Sequence, residues 1–219
     1  MAIAFDATAT GVGNPTTSLT ISHTCSGSNR VLFLHIQTGS DATPTDLTSV
    51  TYAGQNMTLV DRRSISATEF VYLYYIINPA SGTNDIVISR TTSGFTGGNS
   101  ASYTGAQQSG IPDASTTNSG ASPLATSITT IADNCWAVIA FTNGSGNFGG
   151  ITGGTARQST SGRGIADSNA AITPAGNKTI TIDGSGGTIW AVMASFAPAV
   201  AVAATTSTAG RDFMLTNAS

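Results

Sequence analysis

Apolar and polar residues alternate with a period of two along most of this chain, and the runs are cut by Gly, Asn, Asp and Pro. This is the signature of many short β-strands. The pattern predicts strands over 2–7, 17–24, 30–38, 48–53, 57–65, 69–77, 84–91, 99–104, 126–131, 135–142, 151–158, 178–183 and 187–197. Thr, Val, Ile and Tyr fill these runs, and β-branched or aromatic side chains suit a pleated, half-buried surface. Helix formers such as Glu, Lys and Leu are scarce, so almost no helix is expected. Turns are legible at Ala53-Gly54-Gln55-Asn56, at Asn78-Pro79-Ala80-Ser81-Gly82 and at Asp183-Gly184-Ser185-Gly186-Gly187. The glycine-rich stretches 143–154 and 159–176 read as loops.

Some runs alternate cleanly, as in 178–183, where Ile180 and Ile182 point one way and Thr179 and Thr181 the other. Others are apolar on both sides. In 70–77, Phe70, Tyr72, Tyr74 and Ile76 form one side, and Val71, Leu73, Tyr75 and Ile77 the other. In 31–36, Leu32, Leu34 and Ile36 oppose Val31, Phe33 and His35. An antiparallel sheet usually leaves one face to water, so both faces of these strands need a cover. A long loop of the same chain and a second subunit satisfy that need equally well. The second choice makes Phe33, Tyr72 and Tyr74 candidate contact residues.

A length of 219 residues suits one large β domain. The fold expected is all-β, a two-sheet antiparallel β-sandwich of jelly-roll type over residues 1–198. Residues 199–219 differ, being rich in Ala and Thr with little core pattern before Phe213, Met214 and Leu215. They read as an extended C-terminal arm that needs a neighbouring chain to order it, anchored by those three side chains.

Composition narrows the chemistry. Only 9% of residues are charged, with one lysine, Lys178, and one glutamate, Glu69. The net charge of −3 argues against nucleic acid as a partner, since no basic stripe is present to neutralise phosphate. No apolar run is long and uninterrupted enough to read as a membrane helix, and no basic and apolar leader opens the chain, so neither a membrane span nor a secretory signal is expected. Cys25 and Cys135 are therefore expected to be unpaired thiols of a protein made in a cytoplasm.

Candidate reactive groups are few. His23 and His35 each stand alone in a strand, without ligand spacing or an adjacent acid, and read as structural, hydrogen-bonded histidines. Asp41 and Asp46 flank a Thr/Pro loop and could contribute to a calcium site only with several further oxygens; turn residues are the stronger reading. Trp136 and Trp190 lie inside apolar runs and read as core residues rather than sugar platforms. No catalytic residue, metal site or cofactor is expected.

Four motifs carry a resemblance. They are Ser28-Asn29-Arg30 before an apolar strand, Val50-Thr51-Tyr52-Ala53-Gly54 followed by Met57-Thr58, the aromatic strand ending in Asn78-Pro79-Ala80-Ser81-Gly82, and Ser102-Tyr103-Thr104-Gly105 followed by Gln108. In this order, over about residues 16–115, the chain resembles a group of β-sandwich proteins of bacteriophage and bacterial genomes. The resemblance implies a virion structural protein, foremost a capsid decoration or cement protein. Its partners would be copies of itself and other virion proteins, and its location the virion. A tail or fibre component, or a carbohydrate-binding adhesin module, is the alternative; an enzyme such as a depolymerase ranks last.

Overall fold

The computed structural model describes residues 1–40, 46–144 and 146–200. Among the described residues every helix-or-strand element is a strand, and every strand pairing is antiparallel. The strands are β1 (Ala4–Cys25), β2 (Val31–Thr38), β3 (Leu47–Tyr52), β4 (Gln55–Asn56), β5 (Thr58–Ser66), β6 (Glu69–Ile77), β7 (Gly82–Thr104), β8 (Ala114–Ala121), β9 (Leu124–Thr129), β10 (Trp136–Asn143), β11 (Phe148–Thr152), β12 (Thr155–Thr160), β13 (Arg163–Asp167), β14 (Asn177–Gly184) and β15 (Thr188–Phe196).

The all-β antiparallel sandwich expected from the sequence is the architecture observed. Its layering goes further than two sheets. The first sheet runs β4-β3-β7-β2-β6-β5, with β1 also paired to β7. The second runs β12-β13-β10-β15-β8 and the third β11-β14-β9. The two longest strands, β1 and β7, form one ribbon that bends. Beyond the bend, Leu19 and Ile21 of β1 pair with Ile88 and Ile86 of β7, and β3 lies on the far side of β7. Before it, the first half of β1 and the second half of β7 pair with each other, and β2 takes the far side of β7.

The first sheet therefore folds over itself into a nearly closed barrel. Three apolar cores separate four layers. Leu19, Ile21, Ile86 and Ile88 face Leu32, Leu34, Ile36 and Tyr72 in the first core. Val31, Phe33, Val71 and Leu73 face Val138, Ala140, Val192 and Phe196 in the second. Ile139, Phe141 and Met193 face Leu124, Ile128, Ile180 and Ile182 in the third.

This stacking answers why β2, β6, β10 and β15 are apolar on both sides. Each lies in an inner layer and is covered twice by its own chain. Fully burying one large apolar side chain contributes roughly 1.5–3 kcal/mol, so a doubly covered strand contributes from both faces.

The bend needs small residues and a polar clamp. A Cβ on Gly94 would stand 2.4 Å from the Gly39 carbonyl oxygen, and one on Gly98 would stand 2.6 Å from Ile21 Cδ1. Between Ser18↔Ser89 and Thr16↔Gly94 the register slips, leaving Arg90, Thr91, Thr92 and Ser93 without partners on β1. Arg90 and Asp46 fill this bulge as an ion pair, 0% and 1% exposed, at 2.9 Å. Arg90 also donates to the carbonyls of Phe95 (2.7 Å) and Gly39 (3.1 Å), while Asp46 accepts from the Thr92 amide at 2.9 Å and from the Thr91 hydroxyl.

Several expectations change. The stretch 8–16, read as a connection, is the continuation of β1, and 92–98 continues β7. The expected strand 151–158 is split at Gly153, φ +78°, into β11, which pairs with β14 in the third sheet, and β12, which pairs with β13 in the second. Strands β8 and β13 occur where none was expected. The Ala53-Gly54 turn is as read: φ is 50° and 76° at its two central residues, the left-handed pair that a tight hairpin requires.

Candidate functional site

Five charged or imidazole side chains among the described residues are buried, His23, His35, Asp46, Arg90 and Asp167, and each ties separate segments of the fold together. His23 projects from β1 across the first core, and its Nδ1 lies 2.9 Å from Ser100 Oγ of β7. The Ser100 hydroxyl points at the Ala9 carbonyl at 3.3 Å, so it accepts from Nδ1–H. His23 Nε2 is buried without a hydrogen-bond partner among the described residues. Burial lowers the His23 pKa to about 4, with Asp6 acting weakly in the other direction. The Asp6 carboxylate is itself engaged by the Ser26 amide at 2.9 Å and the Ser102 hydroxyl at 2.8 Å.

His35 makes the next crossing, from β2 to β10, with Nε2 3.1 Å from Thr142 Oγ1. The Asn99 side-chain nitrogen lies 3.3 Å from Nδ1, while Asn99 Oδ1 accepts from the Thr10 hydroxyl at 2.9 Å. That chain of donors assigns the proton of the ring to Nε2. Burial first, and the Arg163 charge second, lower the His35 pKa to about 3. Both histidines are thus neutral, structural and locked, and neither is poised as a base for solvent-borne substrate.

A third bridge escaped the sequence reading. Tyr103 of β7 donates to Asp167 Oδ2 of β13 at 2.8 Å. Arg157 of β12 donates to both Asp167 oxygens, at 2.6 and 3.0 Å. The Arg157 guanidinium stacks on Phe5 at 4.4 Å. Burial and the neighbouring Asp167 charge raise the Tyr103 pKa well above its ordinary value. Charges separated by ten positions on different strands leave no sequence pattern, so only the fold reveals them.

The expected contact residues divide. Phe33 is 0% exposed and packs in the second core, its ring 5.1 Å from that of Phe196. Tyr72 is 1% exposed and packs in the first core. Neither offers surface to a partner, because the folding-over of the first sheet and the second sheet cover their two faces. Tyr74 is half-buried at the open seam of the barrel, where β3 and β5 diverge from Met57. A hollow of about 260 Å³ lies there, lined by Thr48, Ser49, Asn56, Met57 and Tyr74. Phe213, Met214 and Leu215, with the rest of the arm beyond Val200, lie outside the described residues.

A second hollow, of about 420 Å³, lies among Ile3, Asn134, Trp136, Ala171 and Pro198. The Met1 amino group donates to the Ala199 carbonyl beside it, at 2.9 Å. Trp136 is 8% exposed and belongs to the second core, whereas Trp190 is half-buried and packs against its margin. Cys25 and Cys135 are free and buried. Burial and a hydrogen bond to Asp113 push the Cys135 thiol up to about 12. Asp41 lies outside the described residues, and the oxygens of Asp46 are taken by Arg90, Thr91 and Thr92 rather than turned toward a cation.

Comparison with protein-family models finds no matching family, and comparison with curated proteins finds no match. The class that the fold itself defines is a layered antiparallel β protein.

Proposed function

We propose that this protein is a structural component of a bacteriophage virion, foremost a capsid decoration or cement protein, which acts by surface contact and not by catalysis. One observation carries the reading. The histidines and the Arg90–Asp46 and Arg157–Asp167 pairs are spent holding layers and bends together, and both cysteines are buried. Of the outer strands, β8 presents Ser, Thr, Asn and small residues, β12 carries Thr, Ser and Gln beside Arg157, and β5 adds the charged run Asp61, Arg62 and Arg63. A rigid stack with such faces suits repeated area contacts, where many copies multiply weak binding. The motifs by which the chain resembles phage and bacterial β-sandwich proteins support the same reading, as does the Ala/Thr-rich composition of residues 199–219, an arm that would reach a neighbouring copy. Partners would be copies of the chain and other virion proteins.

Mass spectrometry of particles purified from the lysate of the encoding host tests this: the protein should be present at a fixed, multiple copy number. Its absence from particles refutes the proposal. The seam at Tyr74 favours a second reading, a carbohydrate-binding adhesin. An aromatic ring flanked by Thr48, Ser49 and Asn56 in an open hollow offers apolar and neutral polar contact together. Titration calorimetry with neutral oligosaccharides, repeated on Tyr74→Ala, decides it: heat lost in the variant favours the adhesin, and no heat in either removes it.

A further inference from the structure

His23 and His35 are the two side chains that cross successive cores by single hydrogen bonds from an imidazole. His23 joins the outermost layer of the folded first sheet to the next through Ser100. His35 joins that layer to the second sheet through Thr142. They are 1% and 0% exposed.

Each bridge fits a neutral ring and conflicts with a charged one. Protonation of His35 would place an N–H at Nδ1, against the Asn99 amide that now donates there. Relieving that clash requires Asn99 to turn over and the Thr10 hydroxyl to redirect its proton from Asn99 Oδ1 to the Gly98 carbonyl, 3.2 Å away. The charged group of the second sheet that faces His35 is Arg163 of β13, of the same sign as an imidazolium. Protonation of His23 would place an N–H at Nε2, where no acceptor reaches among the described residues. Around it stand the Tyr52 ring at 6.3 Å and Ser100, with Asp6 as the nearby carboxylate, already accepting from Ser26 and Ser102.

We propose that the two histidines form an acid-operated latch, which holds the first three layers together at neutral pH and lets them part when both rings take up a proton. The linkage has a definite sign. Their pKa values in the folded chain, about 4 and about 3, lie below the ordinary 6.5. The opened chain therefore binds protons first, and the closed form loses stability as pH falls from 6.5 toward those values. Opening the second core exposes the inner faces of β2 and β6, with Phe33 and Leu73, to solvent or to a neighbouring surface.

The test is an acid titration of the full chain, read by tryptophan fluorescence, near-ultraviolet circular dichroism and binding of an apolar dye. Trp136 and Trp190 report because both border the second core. The expected result is a steep, reversible opening that takes up about two protons. The variants are His35→Gln, whose amide can accept from Asn99 and donate to Thr142, and His23→Asn, whose amide can donate to Ser100. The doubly substituted chain should open at a pH lower by about one unit or more, since neither side chain titrates in this range. An unchanged midpoint overturns the latch. Should the double variant fail to fold, imidazole resonances of the wild-type chain decide. Both rings should stay neutral until the cooperative opening and then shift together, whereas independent titration near the ordinary value within the closed fold overturns the proposal.

Discussion

Replacing Asp46 by Ala should be among the most damaging single changes in this chain. The substitution leaves the Arg90 guanidinium, whose side chain is 0% exposed, without its carboxylate. It also removes the acceptor of the Thr92 amide and Thr91 hydroxyl, which shape the bulge where β7 turns from β3 to β2. Breaking a buried ion pair by removing one partner typically costs about 3–5 kcal/mol. Replacing both partners, Asp46→Leu with Arg90→Met, removes the stranded charge and should recover a large part of that loss. Asp46 carries its own pH signature. The hydrogen bonds of Thr91, Arg90 and Thr92 outweigh burial and hold its pKa at about 2, below the ordinary 3.8. The carboxylate therefore contributes about 2 kcal/mol above pH 3.8, lost as pH falls through 2. That window lies below the range in which the histidines begin to act. Guanidinium unfolding of the wild type, Asp46→Leu, Arg90→Met and the double variant forms a complete cycle, with Asp46→Ala measured beside it. A single Asp46→Ala cost under about 1 kcal/mol, or strictly additive costs in the cycle, would refute the reasoning.

Three further outcomes are expected. Gly94→Ala should destabilise by about 1–3 kcal/mol, because its Cβ would meet the Gly39 carbonyl at 2.4 Å, whereas Gly150→Ala, with open space around it, should change the unfolding midpoint little. Tyr103→Phe should cost about 1 kcal/mol and Arg157→Ala clearly more, since only the second leaves the buried Asp167 carboxylate without its cation; thermal unfolding of the two variants ranks them. Both cysteines should resist a thiol reagent in the native chain and react in denaturant, and the unreduced mass should show no loss of two hydrogens, as two buried free thiols require.

Much of the fold was legible locally. Ile180 and Ile182 alternate with Thr179 and Thr181 in sequence and do so in burial, at the edge of the third core. The doubly apolar runs of β2 and β6 announced two covers, and the apolar residues assigned to each side pack in or against the first and second cores respectively. What covers them was not legible. Phe33 and Tyr72 read as contact residues for a partner because nothing in a strand's own alternation says whether its outer face meets another chain or a folded-over part of its own sheet. Strands β8 and β13 were missed for a related reason: ASTTNSGA and RGIAD are polar or glycine-bearing, and their strand state comes from pairing with β15 and with β10 and β12.

The amino-acid sequence by itself determined the strand content, the tight hairpin at Ala53-Gly54, the low charge content and the inner position of the doubly apolar strands. These follow from side-chain period and backbone preference, which neighbouring residues express among themselves. Only the tertiary structure decided the bend of the β1–β7 ribbon, the stack of four layers and the partners of the ionisable groups. His35 meets Thr142 across 107 positions and Arg90 meets Asp46 across 44. Such contacts depend on how closely two layers approach, at Gly94 and Gly98 above all, and that distance is a property of the packed whole rather than of any segment.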